Sequence, residues 1–393
     1  MSTALDGNGQ KLNVEQAVRQ RYSAASQAAE AALCCPVVYD QDYLKVLPQE
    51  LIDRDYGCGD PSKHVAEGET VLDLGSGGGK ICYIASQIVG PNGRVIGIDM
   101  NDEMLALARK YRDEIGDRIG WHNVEFHKGR IQDLALDLDR FGQSLKSRPV
   151  DDANAWLESQ NLADEMRRDE PMIANDSVDV VVSNCVLNLV SASERRQLFA
   201  ELHRVLRRGG RSVISDIVCD EPVPEHLKND PKLWSGCISG AFVEHEFLEA
   251  FEQAGFYGIE IIDRQSEAWA TVEGIEFRSM TARAYKGKEG PCMDHHEAVV
   301  YNGPWKSVTD DDGHVLRRGV RTAVCEKTFN IYTQAPYADQ IEPIPPHTPV
   351  AADDAEPFDC RAGAVRDPLQ TKQGDEQTTQ LPISDCCGPS ECC

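Results

Sequence analysis

Apolar and polar positions along this chain follow two alternating periods. From Thr70 the short apolar run TVLDLG gives way to SGGGKICYIASQIV, where apolar residues recur at helical spacing. RVIGIDM is followed in the same way by NDEMLALARKYRDEIG. VEFHKG, VDVVVSN, RSVISDI and YGIEIIDR complete a series of six strands. SASERRQLFAELHRVLRRGG and VEHEFLEAFEQAGF read as helices, with Asn101 and Ser191 as N-caps and Gly209 at a helix end. Strands alternating with helices of this length predict an α/β fold with a doubly wound, mostly parallel sheet.

Other segments depart from that rhythm. Residues 13–33 pattern as an amphipathic helix and residues 40–56 as a second, broken at the loop YGCGDP. Residues 132–172 are charged and helix-prone, an expected surface insertion. EAVVYNG and GVRTAVCEKTFNIY predict a small β-rich C-terminal domain. From residue 338 the chain is Pro-rich, with three Lys+Arg against eleven Asp+Glu, and a disordered tail is expected. The expected domains are therefore 1–68, N-terminal helices and the Cys58 loop; 69–270, the α/β domain with its insertion; 271–337; and the tail 338–393.

Charge narrows the partners. The 393 residues carry a formal net charge of -25, which argues against nucleic-acid phosphates and anionic membranes. No apolar run approaches the ~20 residues of a membrane span. The opening MSTALDGNGQKLNVEQ has no apolar h-region, so no signal peptide is expected and a cytoplasmic location is. There the 14 cysteines would be mostly reduced, which favours soft-ion binding or redox chemistry over a disulfide frame.

In VLDLGSGGGK, Gly75, Gly77, Gly78 and Gly79 lie between a strand and a helix, where glycine permits positive φ and close ligand approach. Asp99 ends the next strand, 24 residues after Gly75, and suits a ribose diol. A glycine turn alone also fits a dinucleotide. Asp73, just before the first glycine, places a carboxylate where a dinucleotide would put phosphate, and so favours a cationic ligand such as S-adenosylmethionine. Met100, Ile131, Gln132 and Asn184 stand at neighbouring strand ends and complete the expected cofactor contacts.

Cys185 ends a central strand in VVVSNCVLNLV. Cys58 sits in the glycine-flanked RDYGCGDP and Cys237 in KLWSGCISGA. The three lie on separate loops able to meet above the sheet, without the CxxC spacing of a zinc knuckle. Three thiolates suit a soft three-coordinate ion. Cys82 reads as core; Cys219, Cys292, Cys325 and Cys360 read as bystanders.

These stretches resemble a known family. YGCG, LDLGSGGGKICYIASQIVG, VIGIDM, VVVSNCVLNLV, LWSGCISGA, EAFEQAGF, VVYNGPW and the terminal CCGPSECC are similar to arsenite methyltransferases, over about residues 13–335 and again at the tail. The resemblance implies a Rossmann-like, seven-stranded methyltransferase sheet and transfer of a methyl group from S-adenosylmethionine to arsenite, then methylarsenite. It implies Cys58, Cys185 and Cys237 as arsenic(III) ligands, with Cys34 or Cys35 as a redox partner of Cys58. Glutathione or thioredoxin is the implied reductant, and no metal cofactor is implied. The arsenic lone pair would attack the methyl group without a general base. Two other readings remain open: a methyltransferase for a carbon or oxygen acceptor, and a thiol-rich soft-metal-binding protein.

Overall fold

In a computed structural model, which describes residues 13–27, 30, 37–54, 56–360 and 363–372, the run VLDL lies at the middle of a nine-stranded sheet. Its strands are β1 (Thr70–Leu74), β2 (Arg94–Asp99), β3 (Val124–Lys128), β4 (Val178–Asn184), β5 (Leu206–Cys219), β6 (Phe242–Val243), β7 (Tyr257–Arg264), β8 (Ala270–Val272) and β9 (Ile275–Tyr285). The main order is β3-β2-β1-β4-β5-β9-β7. Pairing is parallel from β3 through β5, while β9 runs antiparallel between β5 and β7. The expected mostly parallel sheet is present.

Alternation along the strands divides the core between two faces. Leu72, Leu74, Ile98 and Val181 pack with Phe199, Phe247 and Phe251 on one side. Val71, Val95, Val180 and Val182 pack with Tyr83 and Ile84 on the other. Covering both faces is what lets these strands read as near-continuous apolar runs. Each fully buried Phe contributes roughly 1.5–3 kcal/mol relative to exposure. The strand order reverses between β1 and β4, which opens a crevice at their C-terminal ends.

Several expectations are revised. The first helix is described over Val14–Ala25. The second is two short helices, Gln41–Leu44 and Gln49–Asp53, separated at Pro48. Asn101 does cap its helix, its Oδ1 accepting from Glu103 and Met104 N–H at 3.0 Å. Ser191 does not: the later helix starts at Arg195, and Gly209 lies within β5. The insertion forms two helices, Leu138–Ser147 and Ala153–Asp169.

Contacts divide the chain after Gly287. Residues 271–287, assigned from sequence to the C-terminal domain, therefore belong to the sheet unit, because β9 bonds to both β5 and β7. The second unit begins at Lys288. In it, Ala298–Tyr301 lies between Arg321–Ala323 and Ile341–Ile344. Glu356–Pro357 pairs with Met293–Asp294, and Arg366 holds Asp294 at 2.6 and 3.0 Å. The segment 338–372, expected as tail, is thus built into the second unit as far as it is described. Buried Ile341 and buried Arg366, paired with half-buried Asp294, supply what the average composition of the segment conceals.

Candidate active site at the sheet crossover

The turn after β1 is shaped by its glycines. Gly75 has φ +69, and a Cβ there would lie 2.4 Å from Val186 Cγ1. Gly77 has φ +51, donates to Asp99 Oδ2 at 2.8 Å, and would direct a Cβ into open space. Gly77 lines a cleft of ≈ 1130 Å³, counted out to open solvent. A side chain there would fill ligand space rather than protein, which fits a molecule laid against the turn. Asp73, Gly75, Asp99, Met100, Ile131, Gln132 and Asn184 line the same cleft. Around the glycine turn the wall thus carries the carboxylates of Asp73 and Asp99 beside apolar Met100 and Ile131, a donor set matched to a cationic sulfonium with a ribose. Burial raises the Asp99 carboxyl against the N–H groups of Asn101, Gly77 and Met100, which favour its anion.

Gly79 departs from expectation. It caps the helix Lys80–Val89 and is not among the residues lining the cleft; a Cβ there would lie 2.7 Å from Phe126 Cζ. Asn184 lines the cleft, but its amide serves the Cys58 loop. Oδ1 accepts from Cys58 N–H at 2.8 Å and Gly59 N–H at 3.0 Å, and Nδ2 donates to Gly59 O at 2.7 Å. A Cβ on Gly57 would lie 2.1 Å from Asn184 Nδ2, so the glycines flanking Cys58 allow the loop to lie against β4.

That clamp brings the three predicted thiols into one buried cluster with Ile217, Val223 and Phe277. The ligand atoms of Cys58, Cys185 and Asp216 all lie within 4.8 Å of one another. Cys237 donates to Cys185 O at 3.2 Å. Cys185 and Cys237 both hold φ +63, which is costly for a side chain with a Cβ and is the kind of strain found at functional sites. Hydrogen bonds with Cys237 and Cys58, then burial, push the Cys185 thiol well up. Burial first, opposed by the bond with Cys185, pushes Cys58 up. Cys58 and Cys185 therefore hold their protons more tightly than free thiols.

Sequence reasoning expected no base and missed Asp216. It lies near the end of β5, in RSVISDIVC, with nothing in its neighbours to single it out. Burial raises its carboxyl to about 6, against the N–H groups of Ile217, Asn188 and Leu187 and the charge of Arg195. Asn188 Nδ2 donates to Asp216 Oδ1 at 2.8 Å, which ties the loop after Cys185 to β5. Tyr22, on the first helix, also lines the cleft, and the Cys237 and Cys185 thiols help burial raise its hydroxyl. Its signal was its place on the buried face of that helix. Cys82 donates to Asp73 Oδ2 at 3.2 Å and is core, as expected. Cys34 and Cys35 lie outside the described residues, as do the four cysteines of the terminal CCGPSECC.

Residues 66–148 and 149–255 match a methyltransferase domain family, and residues 288–376 match a domain of unknown function. An arsenite methyltransferase of Aquipseudomonas alcaligenes is 30% identical over 333 residues, which cover 81% of this chain and 86% of the relative. The chain belongs to the arsenite methyltransferase family. Among its arsenite methyltransferase relatives, that of Mus musculus is 30% identical over 76% of this chain and 73% of its own length. The human one is 28% identical over 90% and 88%. The fold is that of an arsenic(III) S-adenosylmethionine methyltransferase from Chlamydomonas reinhardtii, at a TM-score of 0.53 and 24% identity, covering 83% of this chain and all of that one.

Proposed function

We propose that this protein methylates arsenite and then methylarsenite, with Cys58, Cys185 and Cys237 as the arsenic ligands. The observation that carries the reading is the convergence of these thiols in one buried cluster beside Asp216, with Cys185 on the wall of the glycine-lined cleft.

Each thiol that binds arsenic must lose a proton while a hydroxyl leaves as water. Asp216 is placed to take that proton from Cys58 or Cys185 and return it to the departing hydroxyl. Asp73 and Asp99, with the backbone at Gly75 and Gly77, would hold S-adenosylmethionine. When bound, that cofactor supplies an electrophilic methyl group. The cysteines hold arsenic as a pyramid with its lone pair directed away from the three sulfurs. Buried Ile217, Val223 and Phe277 exclude water around them. Positioning of this kind supplies roughly 7–11 kcal/mol of a barrier. Transfer takes arsenic formally from the trivalent to the pentavalent state. Two electrons from a pair of thiols, closing a disulfide, return it to the trivalent state. Cys58 with Cys34 or Cys35 is the pair we assign, reset by glutathione or thioredoxin in the cytoplasm. Among the described residues no helix is long and apolar enough to cross a membrane.

The test is arsenic speciation by chromatography with mass detection, after incubation with arsenite, S-adenosylmethionine and a thiol reductant. Methylated arsenicals are expected from the wild type. Cys185→Ser should lower their formation at least about 100-fold, while calorimetry shows undiminished S-adenosylmethionine binding. Equal turnover by the variant would remove Cys185 from the mechanism. Wild type that binds the cofactor yet forms no methylated arsenical would point to a carbon or oxygen acceptor.

A further inference from the structure

Three cysteines that read as bystanders in the sequence meet in the second unit. Cys292 precedes the strand Met293–Asp294, Cys325 caps the helix Glu326–Tyr332, and Cys360 follows Glu356–Pro357. Their sulfurs all lie within 4.8 Å of one another. The backbone brings them there. Met293–Asp294 and Glu356–Pro357 form a two-stranded ladder, and Phe358 N–H donates to Cys292 O at 2.9 Å, so the segments bearing Cys292 and Cys360 run side by side. The third sulfur is fixed by Thr328, whose N–H donates to Cys325 Sγ at 3.4 Å and whose hydroxyl lies 3.2 Å from it. The Lys327 ammonium adds a positive charge near the Cys292 thiol. Cys325 is buried, while Cys292 and Cys360 are half-buried, so the cluster has a closed floor and an accessible rim.

The donor set selects the ion. Three thiols offer soft ligands, and among the described residues no His, Asp or Glu joins them within the same reach. His314 lines the adjoining pocket, but neither of its ring nitrogens lies within that reach of all three sulfurs. Structural zinc takes four protein ligands in a tetrahedron. A trivalent, three-coordinate centre is satisfied by three sulfurs.

We infer that Cys292, Cys325 and Cys360 form a second trivalent-arsenic site, separate in its ligands from the one on β4. The choice of arsenic over another three-coordinate soft ion rests on the function proposed above. Binding of As(OH)3 breaks three S–H and three As–O bonds, forms three As–S bonds and releases three waters, with no change of oxidation state. None of the site's three ligands is among the residues lining the cleft, and we assign it binding alone.

The experiment counts arsenic per chain by elemental analysis after gel filtration. It uses the full-length protein with Cys34, Cys35 and the four terminal cysteines changed to Ser, so that only the two clusters remain to be counted. Two arsenic atoms per chain are expected, falling to one in Cys292→Ser/Cys360→Ser, to one in Cys185→Ser, and to none when both changes are combined. In the chain that keeps Cys34, Cys35 and the terminal cysteines, methylation at saturating arsenite should be unchanged by Cys292→Ser/Cys360→Ser. A single arsenic that is lost with Cys185→Ser alone would overturn the second site and leave the functional reading intact. A single arsenic lost only with Cys292→Ser/Cys360→Ser would uphold the second site and sink that reading. One zinc per chain in the purified protein, removed by the same double change, would also overturn the assignment. If the double variant melts earlier by circular dichroism, arsenic X-ray absorption on Cys185→Ser in the same background decides the matter. Three sulfur neighbours support the site, and oxygen neighbours exclude it.

Discussion

In the proposed mechanism the loading of arsenic turns on Asp216. Its carboxylate faces Cys58 and Cys185, with Tyr22 and Arg195 as its other charged or titratable neighbours. Because its carboxyl is raised to about 6, it is protonated and unable to accept below that pH, and ionised above it. Methylation should therefore rise with pH through about 6. Asp216→Asn should be slower by about 100-fold, within the usual range for general acid–base catalysis, and should lack that rise. Initial rates between pH 5 and 7.5 check this, and a variant that kept the rise would assign it to another group. The thiols and the glycine turn were legible in the sequence because their chemistry is written in residue type. Asp216 was not, because its role comes from the register that sets β5 against β4, with Ser215 O accepting from Cys185 N–H at 2.7 Å. Asn184 was legible only in part. It stands at the cleft as expected, yet its hydrogen bonds hold the Cys58 loop.

At the scale of elements, that loop shows how two glycines set a reactive group. Gly59 lies so close to β5 that a Cβ would come 2.4 Å from Ser215 Oγ. Ser215 is fully buried and its hydroxyl lies 2.8 Å from Thr281 Oγ1, so it has little room to yield. Gly59→Ala should cost about 1–3 kcal/mol, as overpacking does. It should also slow methylation by displacing Cys58, while cofactor affinity is kept. Ser215→Gly in the same chain should restore part of both. Denaturant melts and arsenic speciation on the single and double variants measure it, and a double variant no better than the single would mean that the loop fails for another reason. The six strands with apolar runs were legible, since burial on both faces leaves that pattern. β9 was not recognised as a sheet strand, because Arg278, Ser279 and Thr281 are polar yet buried. Each has a partner that the sequence does not reveal. Arg278 reaches Glu244 and Glu276, Ser279 donates to Cys58 O at 2.6 Å, and Thr281 meets Ser215.

At the scale of the whole molecule, the placement of β9 decides where the chain divides. The reading from sequence ended the α/β domain at 270 and gave the strand-like pieces beyond it to a separate domain. The structure continues the same unit to Gly287, through a strand hydrogen-bonded along both edges. A chain cut at 270 would leave the edges of β5 and β7 unpaired and strip Met280, Ala282 and Ala284 from the core. It would also remove the Ser279 hydroxyl that holds the Cys58 carbonyl. A chain cut after Gly287 keeps all of these. The two truncations are therefore expected to behave differently despite differing by only 17 residues. The chain ending at Gly287 should melt in one cooperative transition and bind S-adenosylmethionine by calorimetry. The chain ending at 270 should be insoluble or show no cooperative melt. If both bound the cofactor equally, β9 would be dispensable to the sheet. If neither folded, the first unit would depend on residues beyond Gly287.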